Sequence, residues 1–172
     1  MAHLTLGLLV AALFPQSEPP DLRVTPVPGG RYKVFQRSFT QHVDVFGVRV
    51  FGTKAVPSAK VRHVATVLAE YLDNDEDGAI DDPRVHEFLV REGAFLAMFA
   101  DDREMERLDS NFEAIDRAGF RIGQGLHGEE TIPDGPPHRR VRGRFDATIE
   151  EVLHLVSNGW SETYPDAFGY EP

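Results

Sequence analysis

The chain has no cysteine. Disulfide frameworks and thiolate metal sites are therefore excluded, and any transition-metal site would have to be built from His, Asp and Glu. Positive charge is scarce: 18 Lys and Arg stand against 28 Asp and Glu, for a net charge of −10. Phosphate backbones are held by clustered cations, so the balance argues against a nucleic-acid partner. The one basic cluster, His138-Arg139-Arg140-Val141-Arg142-Gly143-Arg144, follows a Pro-rich turn and reads as a solvated loop. Long apolar runs are missing too. Leu4 to Phe14 is apolar but too short to span a bilayer as a mature helix, and Pro15, Pro19 and Pro20 break it. Residues 1–20 therefore read as a signal-peptide-like segment, although His3 is the only basic-type residue ahead of the apolar run. Residues 21–172 read as a single globular domain. The expectation is a secreted or extracytoplasmic protein with no stable membrane span in its mature form.

What the chain does have is an acidic stretch, Asp73-Asn74-Asp75-Glu76-Asp77-Gly78-Ala79-Ile80-Asp81-Asp82. Carboxylates at alternating positions repel one another, and crowding them costs free energy unless a counter-charge sits among them. Ca²⁺ takes six to eight oxygens in flexible geometry, and a loop turning every second side chain inward supplies them. Counting Asp73 as position 1, Asp falls at 1, 3, 5 and 9, Gly at 6 and Ile at 8. Gly78 permits the sharp turn, Ala79 offers its carbonyl, and Ile80 faces the core. The candidate calcium ligands are Asp73, Asp75, Asp77, Ala79 and Asp81.

The stretch resembles an EF-hand loop with one departure. At position 12, where an EF-hand places a bidentate Glu, this chain has Arg84, preceded by Pro83. The final ligand is missing or has moved to Asp82 or Glu87. Such a loss implies weak binding, in the ~10⁻⁴ to 10⁻³ M range of extracellular modules. The alternative is a solvated acidic turn between two helices.

The flanks carry helical periodicity. Val61, Val64, Ala65, Leu68, Tyr71 and Leu72 predict an amphipathic helix over 59–72 with Ser58 as its N-cap. Asp82 and Pro83 read as N-cap and first residue of a second helix carrying Val85, Phe88, Leu89 and Val90. Upstream, 32–36 and 43–51 are rich in β-branched and aromatic residues and predict two strands or a bent hairpin near Gly47. Ala94 to Ala100 is a continuous apolar run of strand length. Helices are expected over 102–108 and 110–118, and 120–128 is ambiguous. The fold class expected is α+β, a small sheet with four to five helices.

A last helix is expected to open at Asp146 and stop before Gly159. Ile149, Val152, Leu153 and Val156 form its apolar stripe, and Glu150, Glu151 and His154, at i,i+4 and i,i+3 spacing, can face one site. Glu150-Glu151-Val152-Leu153-His154 resembles the zincin helix HExxH with its first His replaced by Glu. The resemblance implies Glu150 and His154 as Zn²⁺ ligands and Glu151 as general base toward a metal-bound water. The third ligand is not evident: His127, Glu129 and Glu130 lie upstream, Glu162, Asp166 and Glu171 downstream. Without a ligand role, two Glu in a helix's first turn are favourable simply through the macrodipole.

Residues 45–169 also resemble a group of secreted proteins. The likeness rests on His63-Val-Ala-Thr-Val-Leu-Ala-Glu-Tyr-Leu-Asp-Asn-Asp-Glu-Asp-Gly78, on Glu150-Glu-Val-Leu-His-Leu155 and on Tyr164-Pro-Asp-Ala-Phe-Gly169. It implies a family look and no particular activity; the proteins of that group continue past the counterpart of Pro172 with Tyr- and Trp-rich sequence. Three readings stay open: a secreted calcium-binding protein on a zincin-like scaffold with a structural ion, a zinc-dependent peptidase-like hydrolase, and a non-catalytic extracellular interaction module.

Overall fold

Val43, Val45, Val48 and Val50 point to one side of a hairpin whose other side carries His42 and Phe51, and this alternation organises the computed structural model. The structure describes residues 19–108, 111–133 and 145–169. Most of the signal-like segment, the basic cluster 138–144 and the final residues 170–172 lie outside that description.

Strands β1 (Thr25–Pro26), β2 (Gln41–Val45), β3 (Val48–Gly52), β4 (Phe95–Phe99) and β5 (Gly123–His127) form one sheet in that order. β1, β2 and β3 pair antiparallel, whereas β3, β4 and β5 run parallel. The hairpin turns through Phe46 (φ 51°) and Gly47 (φ 91°), both left-handed as a two-residue hairpin turn requires. The helices are α1 (Ser58–Leu72), α2 (Pro83–Arg91), α3 (Asp102–Leu108), α4 (Phe112–Arg117), α5 (Thr148–Thr163) and α6 (Pro165–Phe168). The α+β class with a small sheet and several helices is what the structure has.

Each face of the sheet has its own core. On one, Val43, Val45, Val50, Leu96 and Met98 meet Val61, Val64 and Leu68 of α1, Val85 and Leu89 of α2, and Val152, Leu155 and Val156 of α5. On the other, Phe35, Phe39, Phe51, Phe95, Phe99 and Phe120 pack with Ile115 of α4. Phe35 stacks on Phe51 at 3.9 Å between ring centres and meets Phe95 edge-on at 5.0 Å. Fully burying each such ring is worth about 2 kcal/mol over leaving it exposed.

The connection from β3 to β4 runs through α1 and α2 on the valine face, and that from β4 to β5 through α3 and α4 on the phenylalanine face. Both step across the sheet in the same direction. Two such steps on opposite faces have opposite hands, so one departs from the right-handed rule for parallel crossovers.

Several sequence expectations are corrected. Residues 32–36 are not a strand but part of a 3-10 helix, Gly30–Arg37. Tyr32, Phe35 and Phe39 recur at helical spacing and all join the aromatic core. Ser58 is the first residue of α1, not its cap; its hydroxyl donates to Gln41 Oε1 at 2.7 Å. α5 does not stop at Gly159 but passes through it to Thr163. A Cβ on Gly159 would sit 2.8 Å from Val85 Cγ1, so glycine is there to let α2 approach. Within α5 the buried side is Val152, Leu155 and Val156, and Ile149 and Leu153 are outside it, at 54% and 39% exposure. The ambiguous 120–128 stretch holds β5. Asp82 and Pro83 start α2 as expected.

Candidate metal centre

α1 ends at Leu72 and α2 begins at Pro83, so the acidic stretch is the joint between two helices. The Asp73 amide still donates to Ala69 O at 2.8 Å, closing the last turn of α1. Its side chain is then carried inside the loop, where the residue is only 5% exposed. Asp73 Oδ1 accepts from the Asp77 amide at 3.1 Å and Oδ2 from the Gly78 amide at 3.0 Å. Asp81 closes the far end: its amide donates to Leu72 O at 2.9 Å and its Oδ2 accepts from the Asn74 amide at 2.7 Å. Glu76 (φ 57°) and Gly78 (φ 84°) are left-handed, which costs about 1 kcal/mol at the non-glycine residue. Ile80 packs against the valine-face core.

The result is a convergence of charge. Carboxylate oxygens of Asp73, Asp75 and Asp81 lie within 4.8 Å of one another. Two full charges at that distance repel by roughly 1 kcal/mol in water and several-fold more where protein replaces solvent. Asp73 also stands at the negative end of the α1 dipole, where an anion is disfavoured. Among the described residues this is the one group of three His or acidic side chains with ligand atoms so close. The donor set is all carboxylate oxygen, which suits a hard cation such as Ca²⁺ or Mg²⁺ and not a thiophilic one.

The remaining proposed ligands are placed differently. Asp77 Oδ1 accepts from the Ala79 amide at 2.8 Å, and Asp77 is not part of the close group. Asp82 Oδ1 caps α2, accepting from the Arg84 and Val85 amides at 3.1 Å each. Asp82 Oδ2 accepts from the Tyr164 hydroxyl at 2.7 Å. That hydrogen bond, with burial and the carboxylate charge beside it, holds the Tyr164 phenol above its ordinary pKa. Arg84, at the EF-hand's twelfth position, turns the other way: Nη2 donates to Thr163 O at 3.3 Å and its guanidinium lies 4.9 Å from the centre of the Tyr164 ring. Asp82 and Arg84 thus clasp the α5–α6 corner.

On α5, His154 Nε2 lies 3.6 Å from Glu150 Oε1, and both side chains are more than half exposed. Glu151 is turned to the sheet, where its Oε2 accepts from Gln124 Nε2 at 2.5 Å. Among the described residues no further His or carboxylate joins Glu150 and His154 in a close group. Of the upstream candidates, His127 sits at the end of β5 between Asp102 (3.2 Å) and Glu130 (3.4 Å).

One polar pair that spacing did not bring together is His63 with Asp146, Nε2 to Oδ2 at 2.8 Å, joining α1 to the entry of α5. Burial pushes the Asp146 carboxyl upward, but hydrogen bonds from Thr148, His63 and the Ile132 amide outweigh it and leave the carboxyl below its ordinary pKa. No helix among the described residues is long and apolar enough to cross a membrane. Comparison with family models, curated proteins and solved structures found no match to the chain.

Proposed function

We propose that the chain is a secreted calcium-binding protein in which the ion is structural. The observation that carries this reading is the convergence of Asp73, Asp75 and Asp81 in the joint between α1 and α2. A divalent cation there converts three mutually repelling charges into a cross-link between two helices. With Asp82 engaged as cap and clasp, and Arg84 at the twelfth position, the loop has few ligands beyond these three and binding is weak. Weak binding suits an extracytoplasmic setting, where calcium is abundant. Glu150, Glu151 and His154 carry no second reading, because Glu151 is engaged by Gln124 and the other two form an exposed pair.

Calorimetric titration of chelator-stripped protein tests the proposal. The expected outcome is one calcium site of roughly 10⁻⁴ to 10⁻³ M dissociation constant, lost in Asp75→Asn/Asp81→Asn. Calcium binding undiminished in that double variant would remove the loop assignment, and so would the absence of binding to wild type.

A further inference from the structure

At the amino ends of β3 and β4 the phenylalanine face opens into a cleft of about 240 Å³ that is separate from the acidic loop. Arg31, Tyr32, Arg49, Val90, Ala94 and Phe120 line it. In a chain of net charge −10, two guanidiniums meet at this one mouth. Both guanidiniums lie over aromatic rings. The Arg49 guanidinium carbon is 4.0 Å from the centre of the Tyr32 ring, and that of Arg31 is 4.5 Å from Phe120 and 5.5 Å from Tyr32. A guanidinium presents its N–H donors in one plane, a fork that matches a carboxylate. Arg49 commits one donor to Gly47 O at 3.0 Å and one to Asp44 at 2.5 Å, while its Nε is buried without a partner. Arg31 has no hydrogen-bond or ion-pair partner among the described residues. Tyr32 apart, the other lining residues carry no polar side-chain group, and Val90 is left 37% exposed at the edge.

We propose that this cleft binds a small aromatic carboxylate. The carboxylate lies along the N–H edges of Arg31 and Arg49, and the ring rests on Val90, Ala94 and Phe120. With Arg49 paired to Asp44, the unpaired charge of Arg31 selects an anion, the planar donors select a carboxylate, and the apolar wall selects a compact flat body. The inference does not depend on calcium binding.

The test uses the full chain, ¹⁵N-labelled and titrated with phenylacetate and, separately, with the neutral isostere phenylacetamide. Phenylacetate is expected to give saturable shifts at the Gly47, Gly93 and Ala94 amides and at Arg49 Nε. Binding of the amide should be at least about tenfold weaker, the size of one charge-assisted hydrogen bond. Arg31→Gln should weaken phenylacetate binding by a similar factor; Arg31 is exposed and holds only ring contacts, so the variant keeps the fold. Arg49→Lys, which keeps the charge but loses the planar edge, should also weaken it. The absence of saturable shifts with wild type, or equal binding of acid and amide, overturns the proposal, as does unchanged affinity in Arg31→Gln.

Discussion

Asp73 has two tasks, and they can be separated by substitution. Its carboxylate accepts the Asp77 and Gly78 amides and also faces Asp75 and Asp81. Asp73→Ala removes an almost fully buried carboxylate that two loop amides share, although the Asp77 amide keeps Asp75 Oδ1 at 3.3 Å, so it is expected to lower stability by about 1–3 kcal/mol even in chelator. Asp75→Asn should change apo stability by no more than about 0.5 kcal/mol, as exposed substitutions do, yet remove the response to calcium. Urea midpoints of both variants with and without calcium check the pair of expectations. At this scale the alternation of carboxylates in the sequence was enough to bring Asp73, Asp75 and Asp81 together in one loop. Asp77 was less legible: its alternation matches that of Asp75, but an Asp side chain can satisfy a nearby amide, and here it takes that of Ala79. The same limit applies at Glu150 and His154, where helical spacing puts two groups together but does not say whether a third arrives.

Between elements, the strongest contacts are those that spacing alone cannot show. Periodicity found α1, α2 and the buried run of β4, because their apolar side chains face a core that the local pattern mirrors. It misread 32–36 as a strand, since aromatic residues favour strands and only the tertiary stacking of Phe35 on Phe51 decides otherwise. It ended α5 at Gly159 because glycine usually ends helices, whereas here it serves α2. Gly159→Ala gains about 1 kcal/mol of helix propensity, but a Cβ 2.8 Å from Val85 and 3.2 Å from Leu89 forces two buried side chains apart. Overpacking costs about 1–3 kcal/mol, so net destabilisation is expected, visible as a lower thermal midpoint. The His63–Asp146 pair joins residues far apart in sequence and gives a pH prediction. The folded Asp146 pKa is depressed, so its contribution is present above the unfolded value and is lost as pH falls through the folded one. The stability difference between wild type and Asp146→Asn should therefore be present at about pH 5 and shrink below about pH 4. Urea melts across pH 2.5–7 would show it, and a difference that is flat throughout would dissociate the depressed pKa from stability.

For the whole molecule, the acidic joint lies inside the longer of the two parallel crossovers. Between the paired strands β3 and β4, the chain places both α1 and α2 on the valine face. The loop joins them, and at the start of α2 Asp82 and Arg84 grip the corner of α5 and α6. A cation that binds the folded loop and not the unfolded chain stabilises the entire cooperative unit by mass action, about 2.7 kcal/mol at a concentration 100 times the dissociation constant. For a chain of this size that corresponds to a thermal shift of roughly 5–10 °C. Because the ion adds no large surface to the core, the denaturant slope should stay the same with and without calcium, and only the midpoint should move. A slope that rises on adding calcium would mean that the apo chain is partly unfolded around the joint, and the ion would then be organising the crossover as well as fastening it. Tyr164→Phe separates the two cases. It removes the hydroxyl that holds Asp82 but no carboxylate of the close group. If calcium only fastens a formed joint, this variant melts lower than wild type in chelator and gains the same increment from calcium. If calcium organises the crossover, the increment grows in the variant, because the ion then supplies order that the clasp no longer does. The loop closes through Asp73 and Asp81 onto its own amides, and those hydrogen bonds need no ion, which favours the first outcome: equal increments and equal slopes.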